Sequence, residues 1–367
     1  MKLGYDCSRN RTLVAACLAV AVLLGAAALP APVQAKGKAR IAVIQAESSP
    51  RQDPFRAEYD FARVVPMMES HLEKLLGLFE QAGEMGADLV CGPEDMQHIG
   101  AYGLYLNTRN PETGEILFNS LAVPVPGPLT GRIAQIARRF SMYVIAPLYE
   151  RDGDKIYNTS VVFGRNGKII GKHRKTVLPV LETWLVEQGD GFEVFPLDFG
   201  NVAVAACLEL SYPEIATIYA LKGADIIFNP TMARENAPGQ SLRTGHRYLT
   251  RASDNYVYIA PVILGSDGNG IVDSQGQVVA EAVGKKNTVI MAEIDFSREP
   301  IQSGAWWPAI NGADNKKAIL FLGRRPETFG AIVAPHSPLL ERYKDVRLTT
   351  GDREAQIKAV EKVDYGP

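Results

Sequence analysis

The stretch VAVAACLELSYPE, residues 202–214, carries the strongest indication of the fold in this chain. Its first half is small, apolar and partly β-branched, which predicts a buried strand, and a polar turn and a helix-like segment follow. This order delivers Cys207 to a bend, where the next N–H groups and the positive end of the helix favour a thiolate and a neighbouring oxyanion. A nucleophile and a packed core cysteine are both compatible with this segment alone, since free cysteine is often buried.

The overall composition is that of a globular protein. The chain has 367 residues, of which 46% are hydrophobic and 22% charged, and its formal net charge is -2. These values allow one large domain or two small ones. The nearly balanced charge, and the lack of a basic tract interleaved with aromatic residues, exclude nucleic acid as a partner.

The first residues predict a leader rather than part of the fold. Basic residues precede an apolar run at residues 13–29, and VQA at residues 33–35 supplies the small residues that signal peptidase requires. We therefore predict a signal peptide over residues 1–35, cleavage after Ala35, and a periplasmic or secreted protein with no stable membrane anchor after cleavage. A retained anchor is the alternative, which Gly25 and Pro30 disfavour because they interrupt a run already short for a span.

Removal of the leader leaves two cysteines, Cys91 and Cys207. Two are too few for a disulfide scaffold. In an oxidising compartment either they pair, or Cys207 stays unpaired because its thiol is used. The count leaves both possibilities open.

Apolar periodicity predicts mixed sheets covered by helices. A strand at residues 40–46, a helix within 58–86 and a strand at 87–91 open the chain as β-α-β. Asn166-Gly167 indicates a hairpin at which the sheet turns antiparallel. Residues 97–128 have no clean period and predict a pocket-shaping loop region. Further strands are predicted at 142–149, 157–163, 168–171, 192–199, 202–206, 225–229, 256–262, near 271 and 278, and at 288–294, with helices at 129–140, 212–222 and 242–254. Two such sheet-and-helix layers packed together would account for this order.

Three polar residues, Glu94, Lys175 and Cys207, follow predicted strands. Together they would form a metal-free catalytic unit, with a carboxylate as general base, an ammonium that stabilises negative charge, and a thiol nucleophile. Taken singly, Lys175 could instead belong to a solvated basic edge with His173 and Arg174, and Glu94 could be a loop carboxylate.

The motifs around these residues resemble those of the nitrilase superfamily of carbon–nitrogen hydrolases. GPE at 92–94, HRKTVLP at 173–179 and CLELSYPE at 207–214 occur in that family's order. GADIIFNP at 223–230, RASDNY at 251–256 and RRPE at 324–327 are further matches, so the resemblance covers roughly residues 40–335.

The resemblance implies an α/β fold, a four-layer α-β-β-α sandwich with mixed sheets. From about Pro335 onward the chain is charged and has no apolar period, which predicts a C-terminal tail or oligomerisation arm at residues 336–367. The resemblance places a carbon–nitrogen hydrolase domain at residues 36–335. It also implies an enzyme without cofactor or metal, and a homodimer or higher homo-oligomer that pairs through the helix at 212–222.

The catalytic residues implied by the resemblance are Glu94, Lys175 and Cys207. A second glutamate would orient the lysine, and Glu182 is the candidate; its alternative is an ordinary loop ion pair, which carries little energy. The oxyanion would rest on Lys175 and the N–H of Leu208. Cys207 would pass through a thioester.

Features of both the amidase and the nitrilase branches are present. Leu208 stands where the nitrile-hydrolysing branch often has an aromatic residue, and YPE at 212–214 resembles amidases, whereas residues 175–191 resemble nitrilases. We predict an exported hydrolase of a small linear amide that releases ammonia or an amine and a carboxylic acid. The alternatives are a nitrilase, an acyltransferase, and a non-catalytic thiol-bearing binding protein with a Cys91–Cys207 disulfide.

Residues predicted to line the substrate pocket come from two regions. His98, Tyr102 and Tyr105 belong to the loop region at 97–128, although tyrosine in a loop often only packs. Asn229 ends the strand predicted at 225–229, and Met232 follows it.

Overall fold

Two six-stranded mixed sheets form the framework of the protein. The computed structural model describes residues 36–48, 61–100, 109–179, 182–232, 241–298, 315–343 and 345, so the predicted leader at 1–35 lies outside the described residues. The strands are β1 (Lys38–Gln45), β2 (Leu89–Cys91), β3 (Tyr143–Asp152), β4 (Lys155–Phe163), β5 (Ile169–Arg174), β6 (Val194–Leu197), β7 (Gly200–Val204), β8 (Ile226–Thr231), β9 (Tyr258–Ile263), β10 (Gly270–Val272), β11 (Val278–Glu281) and β12 (Thr288–Asp295).

Helices cover the sheets and connect their parallel strands. They are α1 (Phe61–Glu84), α2 (Leu117–Leu121), α3 (Pro128–Phe140), α4 (Pro213–Leu221), α5 (His246–Asn255), α6 (Lys316–Leu322), α7 (Gly330–Val333) and α8 (Pro338–Glu341). Short 3₁₀ turns lie at Glu182–Trp184, Cys207–Ser211, Leu242–Thr244 and Pro326–Thr328. Among the described residues, none of the helices combines the length and apolar character that a membrane span requires.

The two sheets have the same layout. The first has the order β12-β1-β2-β3-β4-β5 and the second β11-β10-β9-β8-β7-β6. In each, three neighbouring strands run parallel, namely β1 to β3 and β7 to β9. One antiparallel strand flanks them on one side, namely β12 in the first sheet and β6 in the second. Two further antiparallel strands lie on the other side, namely β4 and β5 in the first sheet and β10 and β11 in the second. Parallel strands need long crossovers, which α1, α3, α4 and α5 accompany.

Alternating side chains divide the interior into three apolar layers. On β1, Ala42 and Ile44 pack with α1 and α3, whereas Ile41 and Val43 face the second sheet. The second sheet packs its other face against α4 and α5, as Ile227 does with Tyr219. Because successive strand residues point to opposite faces, each central strand serves two layers. The predicted four-layer α-β-β-α sandwich is confirmed.

Local structure differs from the sequence prediction at several turns. The first antiparallel turn comes at Gly153-Asp154, between β3 and β4, before the predicted Asn166-Gly167 hairpin. The loop region at 97–128 contains α2. The helix predicted at 242–254 is divided at Gly245 into a 3₁₀ turn and α5.

The described C-terminal segment, residues 315–343, exposes many large apolar side chains. Its members that are at least 41% exposed are Ile319, Leu320, Leu322, Ile332, Val333, Leu339, Leu340 and Tyr343. One face of α6 is anchored to the sandwich, since Phe321 packs with the α4–α5 layer and Lys317 Nζ donates to the Ala224 carbonyl at 3.4 Å. The remaining apolar surface of this segment faces outward.

Candidate active site

The carboxyl ends of parallel strands from both sheets meet at one edge of the sandwich. Glu94 follows β2 and Cys207 follows β7. The N–H of Met232, directly after β8, donates to Glu94 Oε2 at 2.8 Å and so joins the two sheets. The carboxyl edge of parallel strands is where ligand sites commonly form in α/β proteins. Glu94 meets Asn158, which lies 64 positions away in the sequence, and Met232, which lies 138 positions away.

Lys175, immediately after β5, lies between two buried carboxylates. Its Nζ is 2.9 Å from Glu94 Oε1 and 2.7 Å from Glu182 Oε2. Glu94 and Lys175 are at most 1% exposed, and Glu182 is 4% exposed. Burial alone would lower the pKa of Lys175, but the charges of Glu182 and Glu94 raise it well above its usual value. The ammonium therefore stays charged throughout the neutral range.

The end of β5 turns alternate side chains inward. His173 and Lys175 are buried, whereas Arg174 points outward, with its guanidinium 3.7 Å from the ring centre of Tyr157. The alternative that Lys175 belongs to a solvated basic edge is wrong. Glu182 is likewise no exposed loop ion pair, because its carboxylate is enclosed at the start of a 3₁₀ turn.

Two further residues complete the charged cluster. Asn158 Nδ2 donates to Glu94 Oε1 at 2.8 Å and to Glu182 Oε1 at 2.7 Å. The hydroxyl of Tyr149 donates to the same Glu182 oxygen at 3.0 Å. Both lie on the β3–β4 hairpin, and the sequence reasoning missed them. The sequence held a signal for Asn158, because Asn158, Thr159 and Ser160 are three consecutive polar residues in a strand that is otherwise mainly apolar, and all three are buried.

Cys207 occupies a sharp bend with a positive φ of 46°. This left-handed conformation is uncommon for a residue with a side chain, and it persists only where its surroundings enforce it. Asn229 supplies that support, because its Nδ2 donates to the carbonyls of Ala205 and Cys207. The Tyr248 hydroxyl in turn donates to Asn229 Oδ1 at 3.3 Å. Leu208 follows in the first turn of the 3₁₀ helix, as the strand-turn prediction required.

The thiol of Cys207 is protonated at neutral pH. Burial and the charge of Glu94 raise its pKa to about 11, although Lys175 and a hydrogen bond with Thr231 act in the opposite direction. The combined surroundings of the thiol therefore disfavour a resting thiolate. A nucleophilic attack by this sulfur requires a base that removes its proton. Glu94 is close enough for its charge to raise the pKa of the Cys207 thiol.

Cys91 and Cys207 are free thiols. Cys91 closes β2 and is buried in the apolar layer between the sheets, where burial raises its pKa well above the usual value. Its Sγ contacts the Gly92 carbonyl at 3.3 Å. The disulfide alternative finds no support in this arrangement.

The residues predicted to line the pocket have different positions. His98 is fully buried, with its ring 4.4 Å from that of His71, and burial lowers its pKa to about 3. Met232 binds Glu94 through its N–H, and Asn229 supports the bend at Cys207. Tyr102 and Tyr105 lie outside the described residues. That these residues contact substrate stays a prediction.

The arrangement combines a buried carboxylate, an ammonium and a protonated thiol. Within the part of the chain that the structure describes, no group of histidine, cysteine, aspartate or glutamate side chains is arranged to hold a metal ion. Such a set of groups can transfer a proton from the thiol and stabilise a developing oxyanion by charge.

This fold and edge site define the class of nitrilase-like α/β sandwiches, and comparison with known proteins agrees. A solved carbon–nitrogen hydrolase from Helicobacter pylori G27 superposes with a TM-score of 0.58 and 21% sequence identity, over 81% of this chain and 98% of that chain, which shows the shared fold. Omega-amidase NIT2 of Bos taurus is 28% identical over 266 residues, 66% of this chain and 90% of that protein. A Pyrococcus abyssi protein named nitrilase is 33% identical over 239 residues, 62% of this chain and 84% of that protein.

The carbon-nitrogen hydrolase family model matches residues 40–299. The chain belongs to the carbon-nitrogen hydrolase family. The resemblance found in the three sequence motifs is confirmed.

Proposed function

We propose that this protein is an exported hydrolase of a small linear amide that works through a thioester on Cys207 and releases ammonia or an amine and a carboxylic acid. The observation that carries the proposal is the buried Glu94–Lys175 pair, 2.9 Å apart, whose charges both act on the Cys207 thiol. No single residue would indicate this chemistry; the combination of base, cation and nucleophile does.

The first step forms the thioester. Glu94 takes the thiol proton as the sulfur bonds to the amide carbon, and the carbonyl π electrons move to oxygen. The oxyanion is stabilised by the Lys175 ammonium and the N–H of Leu208. When the carbonyl reforms, the C–N bond breaks, and the departing nitrogen takes the proton from Glu94. An acyl group remains on Cys207.

The second step releases the acid. Glu94 takes a proton from water, and the oxygen of that water attacks the thioester carbon. Lys175 and Leu208 again stabilise the oxyanion. As the carbonyl reforms, the C–S bond breaks, and the sulfur recovers its proton from Glu94, which restores the starting state.

Hydrogen bonding distinguishes the two oxygens of Glu94. Oε1 already accepts from Lys175 and Asn158, whereas Oε2 accepts from Met232 N–H among the described residues. A carboxylate accepts about two hydrogen bonds per oxygen. We therefore assign Oε2 as the atom that takes the thiol proton.

Glu182 is proposed as the residue that orients the lysine. It contacts Lys175 Nζ at 2.7 Å and is itself held by Tyr149 and Asn158. When Glu94 becomes protonated in either step, Glu182 still balances the ammonium charge. A buried cation left without a partner would be costly, so this second carboxylate keeps the intermediate stable.

The amide is favoured over the nitrile as substrate. Leu208 and the YPE segment at 212–214 resemble amidases, and one of the compared relatives is an omega-amidase. The nitrilase alternative rests on residues 175–191 and on the relative from Pyrococcus abyssi that is named nitrilase. Acyl transfer to an amine from the same thioester is a third outcome.

Matched amide and nitrile pairs test this assignment, and the panel should include ω-amides. Purified wild type and Cys207→Ala are incubated with each pair while ammonia and carboxylic acid are measured. Acid and ammonia from the amide, absent in Cys207→Ala, support the proposal. Product from nitriles alone contradicts it, and so does an acylated amine in place of free acid.

Export through cleavage after Ala35 is part of the proposal, supported by the composition of residues 1–35. N-terminal sequencing of the protein recovered from the periplasm or medium of an expressing bacterium should begin at Lys36. Recovery of the full-length chain from the cytoplasm contradicts export.

Self-association is proposed as well. The outward apolar side chains of residues 315–343 and of α4, where Leu221 is 48% exposed, are a suitable surface for a second copy. Sedimentation should give at least a dimer, and a monomer at micromolar concentration contradicts the proposal.

A further inference from the structure

A second group of ionisable side chains lies beside the candidate active site. His173, two residues before Lys175, and Glu209, two residues after Cys207, are fully buried. The imidazole Nε2 is 2.9 Å from Glu209 Oε2, and Nδ1 is 3.0 Å from Glu193 Oε2. Glu193 is partly exposed, so a line of three charged groups runs from the surface to the bend at Cys207. The proposed mechanism uses none of them.

The carboxylate of Glu209 joins the two sheets beside the reacting groups. Its Oε1 accepts from the N–H and the hydroxyl of Thr176, each at 2.7 Å. Its Oε2 accepts from the N–H of Ala206 at 2.6 Å. Thr176 directly follows Lys175, after β5 of the first sheet. Ala206 directly precedes Cys207, after β7 of the second sheet. One buried carboxylate thus fixes the backbone next to both residues.

The imidazole is held in its charged form. Burial alone would lower the pKa of His173, but Glu209 and Glu193 together raise it to about 9. Both ring nitrogens therefore donate at neutral pH. The pKa of Glu209 is lowered, because His173 and the donors from Thr176 outweigh the effect of burial. The ring of Tyr219 on α4 packs edge-on at 6.3 Å, and burial raises the pKa of its hydroxyl well above the usual value, so it adds no charge.

We propose that Glu193, His173 and Glu209 form a charge-dependent clamp that holds Lys175 in position against Cys207. These three are positioning residues, because they act through the backbones of Thr176 and Ala206. The effect of the clamp on activity rests on the proposed function, whereas the clamp itself is a property of the fold.

The clamp has a defined pH dependence. A histidine with a raised pKa contributes stability that is complete below its unfolded value of about 6.5. That contribution is lost as the pH rises through about 9, where the two carboxylates lose the cation between them. We therefore expect the hydrolytic activity to decrease as the pH rises above about 9, before the pH reaches the Cys207 pKa of about 11.

Glu193→Gln tests the clamp without altering a fully buried residue. Removal of one of the two charges beside His173 lowers its pKa, so the alkaline limb of kcat/KM should move down by about one pH unit. The matched control is Glu84→Gln, an exposed glutamate at the end of α1, which should behave as wild type. His173→Gln should abolish the limb near pH 9. An unshifted limb in Glu193→Gln, or an equal shift in Glu84→Gln, overturns the proposal.

Hydrogen exchange gives a readout that needs no substrate. After correction for base-catalysed exchange, the segments that contain the Thr176 and Ala206 amides should lose protection above pH 9 in wild type, and about one pH unit lower in Glu193→Gln. Absence of turnover together with this shift would reject the proposed function and retain the clamp. Identical protection curves in wild type and Glu193→Gln would reject the clamp whether or not amides are hydrolysed.

Discussion

The ammonium of Lys175 lies 2.9 Å from Glu94 and 2.7 Å from Glu182, with all three side chains buried at the junction of the two sheets. Two carboxylates around one cation give the site an excess negative charge while Cys207 is a neutral thiol. Burial of the thiol, together with this excess, explains why a neighbouring lysine does not produce a resting thiolate. The excess also keeps Lys175 paired when Glu94 carries a proton.

Glu94→Gln should lower the pKa of Cys207 from about 11 while it removes hydrolysis. The glutamate charge raises the thiol pKa, so its loss should shift the pKa down by about one unit. The rate of Cys207 alkylation by iodoacetamide, located by mass spectrometry and measured between pH 7 and pH 11, checks this. A thiol pKa equal to or above that of wild type would contradict the assigned electrostatics.

Glu182→Gln should reduce hydrolysis with little change in folding. The amide side chain can still bond to Asn158 but no longer balances Lys175, so the ammonium is less well held against the oxyanion. Loss of a whole oxyanion donor costs about 10²- to 10³-fold in kcat, and we expect a decrease toward that range. Glu187→Gln, an exposed neighbour, is the control and should keep wild-type kcat. Equal activity in both variants would leave Glu182 without an orienting role.

Asn158→Ala should destabilise the protein. Its amide donates to both Glu94 and Glu182, and hydrogen bonds to charged groups contribute about 1.5–3 kcal/mol each. Urea unfolding should show a loss of that order, whereas exposed Gln275→Ala should change the free energy of unfolding by less than about 0.5 kcal/mol. A loss no larger than that of the control would mean that Asn158 is not needed to hold the carboxylates.

Much of the fold could be predicted because its elements have local signals. Apolar runs with strand or helix spacing mark β1, β2, α1 and α3, and the pair β6–β7 is visible as two short runs around a turn. Helix α2 was missed, since it is too short to show a period, and the turn after Cys207 was predicted without its 3₁₀ form.

The candidate site was predictable only in part. Glu94, Lys175 and Cys207 were found because three motifs occur in one order. Asn158, Tyr149 and Glu209 were missed because their roles depend on contacts between strands and between sheets, which periodicity does not encode. Glu209 illustrates this, since its carboxylate binds Thr176, 33 residues away in sequence.

The most direct test of the mechanism is to trap the acyl group. Wild type and Cys207→Ala are mixed with a panel of small amides, quenched in acid and examined by intact and peptide mass spectrometry. We expect wild type to gain the mass of the acyl group on Cys207, and the alanine variant to gain nothing and release no ammonia. An acyl adduct on the alanine variant, or its undiminished amide hydrolysis, would contradict Cys207 as the nucleophile.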